Sequence, residues 1–140
     1  MNPLQPSSSR SGIAQICREF GVTARALRFY EEQGLLSPTR HEQMRMYSDR
    51  DRARLKLILS GRRTGFSLRT IRELLEVYDK DGKAAQRAMA LPLVQAQMEV
   101  LEAQRRQLDG AIEALKATEE RLSRNGAADG ADEEPRQRQA

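Results

Sequence analysis

The sequence has no tryptophan, one cysteine, one histidine, and an aromatic content of 4%. The single cysteine, Cys17, excludes an intrachain disulfide and any multi-thiolate metal site within one chain. Together with His41 and scattered carboxylates it makes a poor set for catalysis. The segment Gly61–Gly65 lacks the glycine and lysine spacing of a phosphate-binding loop. We therefore predict that the protein is not an enzyme and carries no metal or cofactor.

Long hydrophobic runs are also absent. No apolar stretch approaches the ~20 residues of a membrane span, and the N-terminus lacks the apolar segment of a signal peptide. We therefore expect a cytoplasmic protein. In a chain of 140 residues, 39% hydrophobic and 31% charged residues favour a mostly α-helical fold with a small core.

The charge is unevenly distributed along the chain. Residues 1–80 contain 15 Lys and Arg against 9 Asp and Glu, a net charge of +6. Residues 81–140 contain 9 against 11, a net charge of −2, so the two parts give the total of +4. A basic N-terminal half is what a phosphate-binding surface requires.

Two short helices separated by a tight turn are predicted near the N-terminus, at Ile13–Phe20 and Ala24–Gln33. Thr23 is a candidate N-cap of the second helix, and Gly34 stands where a left-handed residue would end it. The inner face of this helix can be formed by residues at three- and four-residue spacing, namely Ala26, Leu27 and Tyr30. Arg25 and Arg28 lie one turn apart and can both project outward. This pattern is typical of a DNA-reading helix-turn-helix, although two arginines on a short helix are more often only a solvated face.

A small hairpin is predicted next, with strands around Leu36 and at Arg45–Tyr47, after Pro38 has disfavoured helical geometry. Arg45 could reach a phosphate from this hairpin, although a flexible polar loop explains the pattern nearly as well. Ser48–Asp51 resembles a capping box that opens a third helix ending at Gly61. A fourth helix begins at its N-cap, Ser67, and ends at Asp79–Gly82.

The C-terminal part carries a heptad pattern over four repeats. Arg105 and Glu119 interrupt it, and polar positions of this kind can fix the register of a coiled coil. Leu91 to Leu122 would span ~48 Å as a helix, so we predict that the apolar positions pair with a partner helix. Pro92 fits the first turn of this helix. The predicted dimerisation residues are Leu91, Val94, Met98, Leu101, Leu108, Ile112, Leu115 and Leu122.

The run from Ile13 to Tyr78 resembles the DNA-binding domain of the MerR family of bacterial transcription regulators. The resemblance lies in Thr23-Ala-Arg25 with Arg28-Phe-Tyr30-Glu31, in Gly34-Leu-Leu-Ser-Pro38, in Arg45-Met-Tyr47-Ser48 and in Thr64-Gly65-Phe66-Ser67-Leu68. It implies a winged helix-turn-helix domain followed by a long antiparallel coiled-coil dimerisation helix. The second helix would enter the major groove, and helices three and four would form a second wing. In one departure, Gln43 and Met44 replace the family's usual glycine and tyrosine, so we expect a differently shaped wing tip.

The resemblance implies groove contacts by Arg25 and Arg28, with phosphates approached from the wings. The predicted DNA-binding residues are Thr23, Arg25, Arg28, Tyr30, Arg45, Tyr47, Arg62 and Arg63. The predicted organisation is a disordered leader (1–11), the DNA-binding domain (12–80), a linker or short helix (81–90), the coiled-coil helix (91–124) and a disordered tail (125–140). In detail the sequence resembles the LiuR-like branch of the family, which is linked to leucine, isovalerate and acyl-CoA catabolism.

The predicted function is that of a homodimeric, sequence-specific transcription regulator bound to double-stranded DNA. By the resemblance it would distort the spacer of an inverted-repeat promoter so that RNA polymerase can engage it. A small-molecule effector is left open, since no cysteines stand near the end of the dimer helix and no sizeable ligand domain follows. Two alternatives remain: a non-specific architectural DNA-binding protein and a coiled-coil protein–protein adaptor.

Overall fold

A computed structural model describes residues 10–132 and confirms a mostly helical fold, with a helix-turn-helix and a hairpin before a long C-terminal helix. The helices are α1 (Ile13–Phe20), α2 (Ala24–Glu32), α3 (Asp49–Arg63), α4 (Leu68–Asp81) and α5 (Lys83–Asp132). The strands are β1 (Ser11–Gly12), β2 (Thr39–His41) and β3 (Met44–Tyr47). Within residues 10–132 no helix combines the length and hydrophobicity needed to cross a bilayer.

The three strands form one antiparallel sheet in the order β1-β3-β2. The predicted hairpin exists, but the prediction of a strand around Leu36 is wrong, because β2 begins after Pro38, at Thr39. Leu36 is instead buried in the core. Strand β1 was not predicted, since two residues, Ser11 and Gly12, are too few to carry an alternating pattern.

A two-residue turn closes the hairpin, which we call the wing (residues 39–47). Glu42 and Gln43 have positive φ angles of 51° and 69°, as a tight turn matched to the right-handed twist of the strands requires. Glycine adopts this conformation without a steric penalty, whereas other residues are held in it at a cost of roughly 1–2 kcal/mol each. The wing tip therefore forms a tight turn without a glycine, and it stores local backbone strain.

The core lies between the first four helices and strand β3. Its fully buried members are Tyr47, Ile16, Leu27, Leu35, Leu36, Leu55, Ile58 and Ile71. Cys17 is partly buried and packs against this cluster, in keeping with a small hydrophobic role. Burial of the inner faces of α1 and α2 fixes which side of the helix-turn-helix faces solvent.

Helix α3 starts as predicted but ends later. Ser48 and Asp51 form the capping box, in which the Asp51 amide donates to the Ser48 hydroxyl and the Ser48 amide donates to the Asp51 carboxylate, each at 3.1 Å. The predicted end at Gly61 is wrong, because the helix continues to Arg63. A Cβ atom at Gly61 would lie 2.9 Å from the Ile71 side chain, so this glycine allows α3 to approach α4 closely.

Helix α5 is longer than the predicted coiled-coil helix at both ends. It begins at Lys83, where a linker or a short separate helix is predicted, and continues through residues 125–132, where a disordered tail is predicted. Once a helix is nucleated, each added residue gains a hydrogen bond, so it can extend over a weakly helical sequence. Pro92 consequently lies inside the helix, not in its first turn as predicted, and leaves the Ala88 carbonyl without its usual helical donor. Residues 1–9 and 133–140, which hold most of the predicted leader and half of the predicted tail, lie outside the described residues.

The chain divides into two units, Met1–Val94 and Gln95–Ala140, and the division falls within α5. The first unit contains the sheet, helices α1 to α4 and the start of α5. The second contains the remainder of α5, whose sequence carries most of the heptad pattern.

Candidate nucleic-acid interface

Helix α2 is held in place by its own ends and by its buried face. The Thr23 hydroxyl accepts a hydrogen bond from the Ala26 amide at 3.1 Å, and Gly34 has the left-handed φ of 72° that reverses the chain after the helix. Both features agree with the sequence analysis. Leu27 is completely buried, and Tyr30 is 9% exposed. The opposite face of α2 is therefore presented to solvent.

Arg25 and Arg28 are exposed on that outer face. Neither guanidinium has a hydrogen-bond or ion-pair partner within residues 10–132. Each can therefore use its full set of donors on an external ligand. Arginine presents those donors as a rigid fork, which matches the two acceptors of a guanine edge or the oxygens of a phosphate.

Phe29 is a further exposed residue of α2 that the sequence analysis missed. Its side chain is 43% exposed, and it lies one helical turn after Arg25, so the two side chains are neighbours on the outer face. Its ring contacts that of Tyr30, with centroids 5.8 Å apart. An exposed ring here could contact a thymine methyl group. Its position four residues after Arg25 is the sequence signal that could have identified it as an outer-face residue.

Two arginines from other helices bind the chain at the C-terminal end of α2. Arg54 Nε donates to the Leu35 carbonyl at 2.8 Å, and Arg72 Nη2 donates to the Gln33 carbonyl at 2.6 Å. Asp79 in turn accepts from Arg54 Nη1 at 3.0 Å. Cations at this end of a helix satisfy its carbonyls and its dipole. These residues position α2, and no local sequence pattern revealed them.

Arg45, the predicted phosphate contact of the wing, already has a partner. Its Nε donates to Glu31 Oε2 at 2.7 Å, and each of the two side chains is 25% exposed. The ion pair connects strand β3 to the last turn of α2. The wing is thereby attached to the helix whose outer face carries Arg25 and Arg28.

Tyr47, which is a predicted phosphate contact, lies in the core. It is 1% exposed, and its hydroxyl is buried without a hydrogen-bond partner within the described part of the chain. Burial, reinforced by the negative charge of Glu31, raises the pKa of the Tyr47 phenol. The predicted phosphate contact does not fit this position, because the alternation of β3 turns the side chain towards the core. Tyr30 is likewise largely buried and packs within the core.

Two more predicted contacts lie at the end of α3. Arg62 and Arg63 are both exposed. Arg62 Nη1 makes one long hydrogen bond of 3.5 Å to the Phe66 carbonyl, and Arg63 has no partner within residues 10–132. The structure therefore leaves both cations accessible beside the turn between α3 and α4.

The heptad positions of α5 form a set of exposed apolar side chains. Leu108 is 64% exposed and Leu115 is 69% exposed. The remaining predicted positions are exposed as well, namely Leu91, Val94, Met98, Leu101, Ile112 and Leu122. Exposed apolar side chains at this regular spacing are typical of a surface that a partner helix covers.

Comparison with known proteins places these features in one family. Residues 12–77 match the profile described as MerR HTH family regulatory protein, and residues 52–124 match the profile described as MerR, DNA binding. The HTH-type transcriptional activator mta of Bacillus subtilis is 32% identical over 108 residues, which are 76% of this chain and 39% of that protein. The HTH-type transcriptional regulator ZntR of Escherichia coli is 36% identical over 46% of this chain and 48% of its own length. The chain spans about half the length, or less, of the curated relatives it matches.

Solved structures agree with the sequence comparison. HiNmlR, described as a MerR family regulator lacking the sensor domain and bound to promoter DNA, matches with a TM-score of 0.61 and 27% identity over 75% of this chain and 80% of its own. The N-terminal part of the Bacillus subtilis multidrug transporter activator matches with a TM-score of 0.58 and 32% identity over 77% of this chain and 96% of its own. The chain therefore belongs to the MerR family of helix-turn-helix regulatory proteins.

Proposed function

We propose that the protein is a sequence-specific DNA-binding transcription regulator, and not an enzyme, that acts as a homodimer on an inverted-repeat operator. The observation that carries this proposal is the outer face of α2, where Arg25 and Arg28 are exposed and unpaired within residues 10–132. The inner face of the same helix is fixed by buried Leu27. A rigid helix with free arginine forks suits readout of base edges in a major groove.

In this proposal the contacts divide by chemistry. Arg25 and Arg28 read base edges, and Thr23 lies beside them at the N-terminus of α2. Arg62 and Arg63 bind phosphates from the second wing and supply affinity that depends on salt. The proposed contact set leaves out Tyr47, because its hydroxyl is buried, and Tyr30, because its ring packs in the same core.

The dimer is proposed to form through the heptad positions of α5, from Leu91 to Leu122. The family resemblance favours antiparallel pairing, with a DNA-binding domain at each end of the coiled coil. A two-fold axis of this kind requires an operator with two inverted half-sites. The proposed organisation keeps residues 12–80 as the DNA-binding domain and residues 91–124 as the core of the dimerisation helix.

The proposed mechanism is distortion of the promoter. The dimer would bend and untwist DNA between the half-sites, so that sequence-dependent deformability adds to specificity at base pairs that it does not contact. RNA polymerase would then engage the realigned promoter elements. For the regulated genes we propose the LiuR-like branch, linked to leucine, isovalerate and acyl-CoA catabolism, on the similarity of residues 25–40 and 50–63. Comparing transcripts with and without the gene would test this assignment.

The experiment that tests the function is operator binding by the double variant Arg25→Ala and Arg28→Ala. We expect specific binding to be lost, because each bidentate arginine contributes about 1–3 kcal/mol of base discrimination, while sedimentation still detects a dimer. The matched control is Arg106→Ala with Arg121→Ala, which removes the same charge from exposed positions of α5 outside the heptad set.

The outcomes separate the competing functions. Retained operator affinity in the double variant of α2 would contradict α2 as the recognition helix. Removal of all wild-type binding by random competitor DNA would indicate an architectural protein. A wild-type protein that forms a dimer but does not bind DNA would support the alternative function of a coiled-coil protein–protein adaptor.

A further inference from the structure

Arg54 of α3 connects the end of α2 to the end of α4. Its Nε donates to the Leu35 carbonyl, just after α2, at 2.8 Å, and its Nη1 donates to Asp79 Oδ2, in the last turn of α4, at 3.0 Å. The Arg54 side chain is only 15% exposed, so packing restricts its position. A guanidinium can hold two acceptors at once because its donors form a rigid fork. One side chain therefore links these two helix ends.

The beginning of α5 is attached to the same helix. Gln86 Nε2 donates to the Leu74 carbonyl of α4 at 3.1 Å. Residues 83–94 of α5 belong to the same unit as α1 to α4, and they include the predicted dimerisation residues Leu91 and Val94. A connected set of contacts therefore runs from the end of α2, through α3 and α4, to the start of the predicted dimerisation helix.

Asp79 is the carboxylate on which this set depends. Its other oxygen, Oδ1, accepts from Arg50 Nη2 at 2.6 Å, so it lies between two arginines of α3. The Arg50 side chain is 66% exposed, and an ion pair at such a position contributes little to stability. The mostly buried Arg54 depends on Asp79 more strongly, because a buried cation without a partner carries the uncompensated cost of its desolvation. Asp79 therefore determines whether Arg54 connects α2 to α4.

Two further contacts hold the segment at the end of α2. Arg72 Nη2 donates to the Gln33 carbonyl at 2.6 Å in an exposed position, and the Ser37 amide donates to Asp51 Oδ1 at 3.2 Å. Neither contact needs Asp79, and both act together with the buried core residues of α2. Loss of Asp79 should therefore leave the domain folded and change how firmly α2 is oriented relative to α4.

We propose that Asp79 is a positioning residue that sets the half-site spacing of the operator. Arg25 and Arg28 select the bases, whereas Asp79, through Arg54, fixes α2 relative to the start of α5. In a two-fold dimer this arrangement occurs twice, so it decides the separation and the angle of the two recognition helices. The inference rests on the proposed function and deepens it, because it assigns the choice of bases and the choice of spacing to different residues.

Half-site spacing is a strict geometric requirement. One additional base pair moves a half-site by about 3.4 Å and rotates it by about 34–36° around the DNA axis. A rigid dimer can follow this change only by deforming the DNA or by breaking contacts of its own. The wild type must break the Arg54 contacts, whereas a variant of Asp79 has already lost them. Such a variant should therefore tolerate the altered spacing better.

The first test compares two operators that differ only in spacing. One is the inverted repeat found by footprinting, and the other carries one additional base pair between the half-sites. For Asp79→Asn we expect the ratio of the first affinity to the second to be about 10-fold smaller than for the wild type, in line with the loss of a charge-assisted contact. The matched control is Asp81→Asn, which removes the same charge from an exposed position of the same helix and should keep the wild-type ratio.

A third duplex separates spacing from base readout. It keeps the original spacing and replaces one base pair in each half-site. Asp79→Asn should discriminate against this duplex as strongly as the wild type does, because Arg25 and Arg28 are unchanged. A purely structural role of Asp79 would lower the fraction of active protein, which weakens binding to all three duplexes alike and leaves both ratios unchanged.

Arg54→Lys tests the same connection from its other side. Lysine keeps the charge, but its single ammonium lacks the fork that reaches both Leu35 and Asp79. We expect the spacing ratio to fall as in Asp79→Asn, and to fall no further in the double variant, because both substitutions break one connection. This variant also carries the test if Asp79→Asn does not fold.

The outcomes separate this inference from the proposed function. A smaller spacing ratio for Asp79→Asn and Arg54→Lys, with base discrimination unchanged, supports the inference. Specific binding with equal spacing ratios in the wild type and both variants overturns the role of Asp79 alone. An equal fall in Asp81→Asn overturns it as well, because the effect would then come from net charge. A wild-type protein that binds no operator overturns the inference and the proposed function together.

Discussion

Apolar side chains are buried in the domain formed by α1 to α4 but exposed along the C-terminal part of α5. In the first, Leu27, Leu55 and Ile58 are at most 1% exposed, and they pack against one another in a shared core. In the second, Leu108 and Leu115 are more than 60% exposed. Burial of a leucine contributes about 1.5–3 kcal/mol, so the first region can stabilise itself. The second would acquire comparable burial only under a partner, which is why we propose that the first region folds by itself and the second serves assembly.

The largest expected effect comes from placing a charge in the heptad set of α5. Leu108→Lys should convert the proposed dimer to a monomer, because a lysine in a coiled-coil core would be desolvated without a partner. We expect sedimentation at micromolar concentration to give the monomer mass and operator affinity to fall at least 1000-fold, on the order of 4 kcal/mol. The control is Val100→Lys, which is also exposed but lies outside the heptad set. If Leu108→Lys stays dimeric, the heptad set is not the dimer interface.

A smaller effect is expected from replacing a glycine by alanine once in each region. The change in stability should have opposite signs in the two regions. Gly61→Ala should destabilise the domain by about 1–3 kcal/mol, because the added Cβ overlaps the buried Ile71 side chain. Gly110→Ala should stabilise α5 by about 0.5–1 kcal/mol, because nothing lies within 4 Å of the added atom and alanine favours a helix. Urea unfolding of both variants measures the difference. Equal signs for the two substitutions would contradict the close approach of α3 and α4.

The smallest effect concerns the buried Tyr47 hydroxyl. Tyr47→Phe removes an unpartnered buried polar atom, so we expect a stability change of no more than about 1 kcal/mol in either direction and unchanged operator affinity. Because burial raises the pKa of Tyr47 above its usual 10.0 in the folded state, its stabilising contribution is complete below pH 10 and is lost as the pH rises through the folded pKa. The wild type should therefore lose more stability than Tyr47→Phe between pH 9 and 11. A marked loss of operator affinity in Tyr47→Phe would support the predicted phosphate contact of Tyr47, which the burial of its side chain disfavours.

The sequence predicted the features that depend on local chemistry. The cap at Thr23, the left-handed Gly34 and the capping box at Ser48 follow from side-chain chemistry within a few residues, and each is present. The end of α3 was mispredicted, because Gly61 serves packing against Ile71, which is distant in sequence. The periodicity of the sequence likewise predicted which face of α2 is exposed, but it did not identify the residues that surround this face.

Contacts between distant segments account for the rest. The partner of Arg45 lies 14 residues away on another element, and the donor to the Gln33 carbonyl lies 39 residues away. In the wing, Arg40 of β2 pairs with Arg45 of β3. This register depends on where the turn falls, and the non-glycine pair Glu42-Gln43 gave no turn signal. The burial of Tyr47 follows from the same register, which turns alternate side chains of β3 towards the core.

The most direct test of the central claim is a quantitative footprint of the purified protein on the DNA upstream of its own gene, measured at several salt concentrations against random competitor. The account predicts protection that is symmetric about an inverted repeat, survives the competitor and disappears in the variant with Arg25→Ala and Arg28→Ala. Protection without symmetry that the competitor removes, or that the double variant retains, would contradict it.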